Sequence, residues 1–168
     1  MTFMFIGSSG VGKSTLINEL FDEEKAETKE GEVCTIKTEI YTSNHLPFLA
    51  LVDTRGIEKN ANYQLKEVMD ETINLITSKL NNIDPNEHIH CIIYCVTSNR
   101  FFEDEMKVIQ AIREKYNGKK LPIIIAYTKA ENENEIKAVR DTIDKYLKKF
   151  NEKLGNGIFD ITFITVLA

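Results

Sequence analysis

A chain of 168 residues has the length of one domain, and its apolar share of 42% and charged share of 28% are those of an ordinary globular protein. Its apolar runs are shorter than the roughly 18 to 20 residues of a membrane helix, so we expect no direct membrane segment. The formal net charge of −5 argues against a nucleic-acid partner, whose binding surface would carry a basic patch. Cys34, Cys91 and Cys95 lack metal-ligand spacing. Their odd number, with Cys91 and Cys95 inside an apolar run, indicates buried, reduced thiols and a cytoplasmic location.

The first half of the chain predicts strands separated by one helix and a charged connection. An apolar strand over residues 2–6 is followed by a glycine loop and a helix that runs to about Phe21. Residues 22–32, which are rich in acidic side chains, predict a mobile, solvated connection. Two further strands are expected over residues 35–42 and 48–52. Because the turn between them is short, they should form an antiparallel hairpin at the edge of the sheet.

The second half alternates helical and strand patterns, which is typical of an α/β domain with a mostly parallel sheet. The predicted elements are a helix over 65–80, a strand over 89–96, a helix over 106–116, a strand over 121–127, a helix over 136–150 and a strand over 158–167. The whole chain, residues 1–168, is thus expected to be one three-layer domain with six strands. The pattern ends on a strand where this architecture continues into a helix, so we expect a truncated domain that lacks its C-terminal helix.

The glycine loop carries the strongest chemical signal. Residues 7–14, GSSGVGKS, fit the phosphate-binding pattern G-x-x-x-x-G-K-[ST], with a strand before it and a helix after it. Its backbone N–H groups and the positive end of the helix should meet phosphate oxygens. Lys13 is predicted to contact the β- and γ-phosphates, and the Ser14 hydroxyl to ligate Mg²⁺. The nucleotide-binding residues predicted here are Ser9, Gly10, Val11, Gly12, Lys13, Ser14 and Thr15.

A second motif, D-T-R-G, begins at Asp53 and ends at Gly56, directly after an apolar strand. At the end of that strand the carboxylate can hold the magnesium shell, and the Gly56 N–H can meet the γ-phosphate. Alone the motif is a common turn; its pairing with the phosphate loop favours the functional interpretation. A threonine between the motifs should close over the γ-phosphate and the metal. Thr28, Thr35 and Thr38 are alternatives; we favour Thr35, although a solvent-facing strand threonine also fits that position.

The third motif follows the strand over residues 121–127 and points to guanine. Thr128, Lys129 and Glu131 stand where GTP-binding proteins carry an N/T-K-x-D sequence that recognises the base. The acidic side chain accepts hydrogen bonds from the guanine ring, and the lysine stem packs on the ring. Glu131 is one methylene longer than the usual aspartate. A polar loop at a strand end is the alternative interpretation.

These residues together resemble the septin-like branch of the P-loop GTPases, which includes septins, chloroplast import GTPases and immunity-associated GTPases. The likeness lies in residues 7–21 (GSSGVGKSTLINELF), in residues 90–94 (HCIIY) and in residues 123–131, which end in TKAE. The resemblance implies a GTP-binding domain with Mg²⁺ whose partner is a guanine nucleotide and which pairs as a homodimer across the nucleotide face. Arg55 departs from the proline usual in septins, and Glu131 departs from the usual aspartate.

Hydrolysis by the isolated domain is expected to be slow. After D-x-x-G, Ras-like proteins place a glutamine that orients water, whereas this chain has Ile57 there. Gly10 replaces the asparagine of potassium-activated GTPases. A partner or a second copy should therefore supply the missing group, and Arg55 can act across such a dimer or be an ordinary solvated arginine. The residues predicted to act in catalysis are Lys13, Thr35, Arg55 and Gly56.

Three interpretations of function stay open from the sequence. The first is a GTPase whose hydrolysis times a conformational switch. The second is a nucleotide-stabilised assembly module with negligible hydrolysis. The third, which Glu131 keeps open, is an ATP-binding P-loop protein.

Overall fold

The computed structural model describes residues 1–26, 38–56, 62–80, 88–97, 103–115, 121–154 and 161–165. Strands and helices alternate along these ranges. They are β1 (Thr2–Gly7), α1 (Lys13–Phe21), β2 (Glu39–Thr42), β3 (Ala50–Asp53), α2 (Asn62–Leu80), β4 (Cys91–Val96), α3 (Glu103–Lys115), β5 (Ile123–Tyr127), α4 (Glu133–Leu154) and β6 (Ile161–Thr165). Within the described part of the chain, no helix combines the length and apolar character required to cross a membrane.

The strands form one six-stranded sheet in the order β2-β3-β1-β4-β5-β6. Only β2 and β3 pair antiparallel, and the described pairs β1–β3, β1–β4, β4–β5 and β5–β6 are parallel. This confirms the predicted mostly parallel α/β sheet with an antiparallel hairpin at one edge. The carboxyl ends of parallel strands meet at one edge of a sheet. The residues that end β1, β3 and β5 are therefore neighbours in space.

Two apolar cores lie on opposite faces of the sheet, which gives the domain three layers. Side chains alternate along β1, so that Met4 belongs to one core and Phe5 to the other. The first core also contains side chains from α2, α3 and α4, such as Ile76, and the second contains Ile17 of α1. Because both faces are covered, β4 is buried along its whole length, in agreement with its continuous apolar sequence.

The predicted start of β3 was two residues too early. Phe48 was expected to begin this strand, but it lies in the turn before it and is 60% exposed. The turn is closed by a hydrogen bond from the Leu49 N–H to the Leu46 carbonyl, 2.9 Å long. The strand begins at Ala50, whose N–H donates to the Met1 carbonyl. Apolar character alone therefore did not distinguish the turn from the strand.

The connection after α1, which was predicted to be mobile and solvated, begins with a turn whose backbone is hydrogen-bonded to the helix. Asp22 adopts a left-handed conformation and caps the helix. The Asn18 carboxamide accepts hydrogen bonds from the N–H groups of Lys25 and Ala26, at 2.9 and 2.7 Å, and donates to the Ala26 carbonyl. Ala26 is buried as a result. The rest of the predicted connection, residues 27–32, lies outside the described residues.

Candidate functional site

The phosphate loop leaves the sheet at Gly7, the last residue of β1, and α1 begins at Lys13. Gly7 has a φ of 149°, and a Cβ at this position would lie 2.4 Å from the Cys95 carbonyl oxygen. No side chain fits so close to the backbone of β4. Glycine therefore lets the loop turn tightly over the centre of the sheet.

The Lys13 side chain folds back over this loop. Its Nζ donates hydrogen bonds to the carbonyl oxygens of Gly7, at 3.1 Å, and Ser8, at 3.2 Å. Lys13 is only 5% exposed, so its charge is held beside the loop and away from bulk water. An ammonium at this place can interact with phosphate oxygens that the loop surrounds.

Ser14 and Asp53 bring the first two motifs into contact. The Ser14 hydroxyl donates to the Asp53 carboxylate at 2.7 Å, although the residues are 39 positions apart. Asp53 is fully buried at the end of β3. The next residue fixes this position, because the Thr54 hydroxyl donates to the Phe5 carbonyl at 2.7 Å. Strand β1 thus holds the Asp53 end of the contact.

The pair fits the way in which proteins hold magnesium. Hydroxyl and carboxylate oxygens are the hard ligands that Mg²⁺ prefers, and the remaining positions are usually taken by water and substrate phosphates. No group of three or more His, Cys, Asp and Glu residues in the described ranges could hold a metal by itself. Ser14 and Asp53 would therefore hold this ion together with a bound phosphate.

Gly56 brings the backbone of the D-T-R-G motif against the phosphate loop. A Cβ at Gly56 would lie 2.6 Å from the Ser9 Cα and 2.8 Å from the Ser9 backbone nitrogen. Those atoms belong to the main chain and cannot rotate away. The approach of the two loops thus requires glycine at this position. Arg55, beside it, is half-buried.

Thr128 connects the end of β5 to the same loop. Its hydroxyl lies within hydrogen-bonding distance of the carbonyl oxygens of Val11 and Val96. Thr128 is 4% exposed and Val11 is fully buried. The predicted base motif and the predicted phosphate motif are therefore adjacent, as a site for one nucleotide requires.

The rest of the base motif is open to solvent. Lys129 has a φ of 55°, and its Nζ donates to the Gly10 carbonyl at 3.3 Å. Both Lys129 and Glu131 are exposed. The helix that follows is capped by Asn132, whose side chain accepts from the Glu135 N–H at 3.0 Å. The cap fixes the backbone just after the base motif and leaves the Glu131 carboxylate at the surface.

Several predicted residues carry no structural test. Thr28 and Thr35 lie in residues 27–37 and Ile57 in residues 57–61, outside the described ranges. Thr38 is described and exposed. The choice of Thr35 as the threonine that closes over the metal stays a prediction.

One buried contact at the phosphate loop was not predicted. The Ser8 hydroxyl donates to the Glu105 carboxylate at 2.5 Å, and each residue is 4% exposed. A signal was present in the sequence: Glu105 lies four residues before Ile109 and seven before Ile112, on the apolar stripe of α3. An acidic residue on a buried stripe indicates a specific polar partner.

The cysteines of β4 are structural. Cys91 and Cys95 are buried free thiols, as predicted, whereas Cys34 lies outside the described residues. Burial raises the pKa of the Cys95 thiol to about 12, with the Lys13 charge acting to lower it and the Asp53 charge acting to raise it. Burial also raises the pKa of Cys91. Neither thiol is therefore the ionised nucleophile that a catalytic cysteine requires.

Comparison with known families agrees with this geometry. The family model described as 50S ribosome-binding GTPase matches residues 2–129. The chain belongs to this family. It is a GTP-binding G-domain protein of the P-loop GTPase superfamily. A search of the curated proteins found no match.

Solved structures similar to this G domain share its fold at low sequence identity. A dimerization-deficient mutant of Toc33 from Arabidopsis thaliana has a TM-score of 0.67 and 16% identity, and the match covers 98% of this chain and 70% of that one. Toc33 in complex with GDP and Mg²⁺ has a TM-score of 0.65 and 18% identity, and the match covers 98% of this chain and 69% of that one. An Aquifex aeolicus Era mutant bound to GDP·AlF4⁻ has a TM-score of 0.59 and 15% identity, and the match covers 98% of this chain but only 50% of that one. Because Era, in addition to Toc33, shares the fold, the likeness establishes the fold and not a branch.

Proposed function

We propose that this domain binds GTP and GDP with Mg²⁺, hydrolyses GTP slowly, and changes conformation with the state of the γ-phosphate. The observation that carries the proposal is the 2.7 Å hydrogen bond between Ser14 and the fully buried Asp53. It joins the two motifs that metal-dependent phosphate binding needs at one edge of the sheet. The structures of Toc33 with GDP and Mg²⁺ and with GMPPNP support the same ligands.

Each residue of the phosphate end has a defined role in this proposal. The backbone of residues 8–12 surrounds the phosphates, and Lys13 neutralises charge on the β- and γ-phosphates. Ser14 and Asp53 hold the metal, which when bound would supply charge stabilisation at the phosphate oxygens. The Gly56 backbone packs on Ser9, and its N–H donates to the γ-phosphate in this proposal.

The base end supplies selectivity. The Lys129 side chain already lies against the loop at the Gly10 carbonyl, so its stem can cover one face of a base. The exposed Glu131 carboxylate can accept two hydrogen bonds from the N1 and N2 groups of guanine. Adenine offers no matching pair of donors, so we propose guanine as the base.

Slow hydrolysis and association complete the proposal. Ile57 cannot orient a water molecule, so a facing copy or another partner provides the missing group. Arg55 is half-buried beside the Gly56 contact and belongs to the surface that would meet a second nucleotide. We also propose that the chain belongs to the septin-like branch, on the basis of the motif segments that resemble it. We propose a cytoplasmic location on the basis of its cysteines. The Toc33 likeness, which includes a dimerization-deficient mutant, supports the homodimer.

Competition binding is the direct test of ligand identity. Purified protein is titrated with a fluorescent GDP analogue, which is then displaced by GTP, GDP or ATP, with Mg²⁺ or with EDTA. We expect GTP and GDP to displace the probe at concentrations at least about tenfold below ATP, and EDTA to weaken GTP more than GDP. Equal displacement by ATP would contradict the guanine assignment. Absence of all binding would contradict the proposal as a whole.

A concentration series tests regulation by pairing. We expect the GTP turnover per protein molecule to rise with protein concentration, and sedimentation to show dimers with a non-hydrolysable GTP analogue but not with GDP. The range should reach roughly tens of micromolar, because transient interfaces are weak. Flat, near-zero turnover would favour an assembly module without significant hydrolysis. A monomer in both nucleotide states would exclude nucleotide-dependent pairing.

A further inference from the structure

Glu105 is a buried carboxylate that contacts the phosphate loop from a helix outside the known motifs. It lies in the first turn of α3, where the positive end of the helix favours a negative charge. It accepts a hydrogen bond from the Ser8 hydroxyl at 2.5 Å, across 97 positions of sequence. With Glu105 and Ser8 each only 4% exposed, the contact is shielded from water, where charge-assisted hydrogen bonds are strong.

Ser8 connects Glu105 to the residue that meets the phosphates. While the Ser8 side chain donates to Glu105, the Ser8 carbonyl accepts from the Lys13 Nζ at 3.2 Å. Glu105 therefore restrains the residue whose carbonyl, together with that of Gly7, holds the Lys13 ammonium.

The charge of Glu105 also acts on a side chain of the sheet below the phosphate loop. Burial, followed by the negative charge of Glu105, raises the pKa of the fully buried Tyr94 hydroxyl. Tyr94 pairs with Ile6 in the sheet, one residue before Gly7, where the loop begins. The Glu105 carboxylate thus lies near the strand residues from which the phosphate loop begins.

We propose that Glu105 is a positioning residue of the nucleotide site, which acts through Ser8 to hold the phosphate loop and Lys13 in their binding arrangement. The inference rests on the proposed nucleotide binding and adds helix α3 to the site. The direction in which the nucleotide affinity changes when Glu105 is removed can be measured. A buried negative charge repels phosphate, so on electrostatics alone its removal would tighten binding. Loss of positioning would weaken binding.

Substitution of Glu105 separates the two effects. We expect Glu105→Ala to weaken Mg²⁺-free GDP binding about tenfold and to speed GDP release, because a charge-assisted hydrogen bond to the loop is lost. Glu105→Gln keeps an acceptor oxygen without the charge, and should recover most of the lost affinity. Ser8→Ala should weaken GDP to the same degree as Glu105→Ala. The double variant should bind GDP no more weakly than either single variant, because each substitution removes the same Ser8–Glu105 hydrogen bond.

Controls distinguish positioning from mere stability. Glu114→Ala removes an exposed acidic side chain of the same helix and should leave GDP affinity unchanged. Thermal unfolding without nucleotide is measured for every variant. If Glu105→Ala lowers the unfolding temperature but releases GDP at the wild-type rate, or binds it more tightly, the positioning role is wrong. If Glu105→Ala does not fold, an unchanged GDP affinity of Ser8→Ala overturns the role equally. If the wild type binds no GDP, the proposed function itself fails; wild-type binding with unaffected variants rejects the inference alone.

Discussion

The two ends of the candidate site differ in how far the protein builds them before a ligand arrives. At the phosphate end, Lys13 and Asp53 are buried and hydrogen-bonded to the loop around them. At the base end, Lys129 and Glu131 are exposed. The phosphate end lies over the central strands β1 and β3, whose register fixes it, whereas the base end is a loop after β5. We infer that the phosphate end dominates affinity and the base end selects between nucleotides.

Removal of the Lys13 ammonium should have the largest effect. We expect Lys13→Ala to weaken GTP and GDP by at least about a hundredfold, because contacts to a charged phosphate are worth about 1.5–3 kcal/mol each. Equilibrium titration with the fluorescent GDP analogue measures the loss. Lys137→Ala, an exposed lysine on α4, is the matched control and should bind as the wild type does. Binding by Lys13→Ala within a few-fold of the wild type would reject the phosphate-loop assignment.

A metal-dependent effect is expected at Ser14. Ser14→Asn should lower GTP affinity about tenfold in Mg²⁺ and leave the affinity in EDTA nearly unchanged, because it disturbs the ligand pair with Asp53. The measurement is a GTP titration of the variant and the wild type in both buffers. Ser78→Ala, an exposed serine of α2, serves as the control. If EDTA does not change the GTP affinity of the wild type, Ser14 has no metal role.

The base end should give the most selective effect. We expect Glu131→Ala to lower GTP affinity about tenfold to a hundredfold through loss of two hydrogen bonds to a charged acceptor, and to leave ATP binding unaffected. The ratio of GTP to ATP affinity is the quantity to measure. Glu133→Ala removes a neighbouring exposed carboxylate in the first turn of α4 and should keep the ratio. An equal loss for both nucleotides would mean that the base end contributes affinity without selecting guanine.

The fold could be predicted because its signals are local. Buried strands such as β4 and the helical stripe of α4 appear in the sequence as uninterrupted or periodic apolar patterns. A parallel sheet then follows from their alternation. The boundaries were less accurate: Phe48 is as apolar as a strand residue but lies exposed in a turn, where hydrogen bonding decides the conformation.

The candidate site could be assembled from the sequence where a motif carries its own spacing. Lys13, Ser14, Asp53 and Thr128 were chosen from three short sequences, and the structure brings them to one edge of the sheet. The contact of Glu105 with the loop could not be derived in the same way. It joins two elements 97 positions apart, and its partner depends on how α3 packs. The helical phase indicates that Glu105 is buried, but not what it contacts.

The position of Cys95 has a practical consequence. Its thiol is fully buried and has a pKa of about 12, and its carbonyl lies directly beneath Gly7, so a reagent can modify it only when the centre of the sheet opens. The rate of thiol modification is then a measure of the free energy of that opening. Any ligand held by the loop above should slow the modification in proportion to its occupancy. In a chain that carries Cys34→Ser and Cys91→Ser, the modification of Cys95 therefore reports how often this part of the sheet opens.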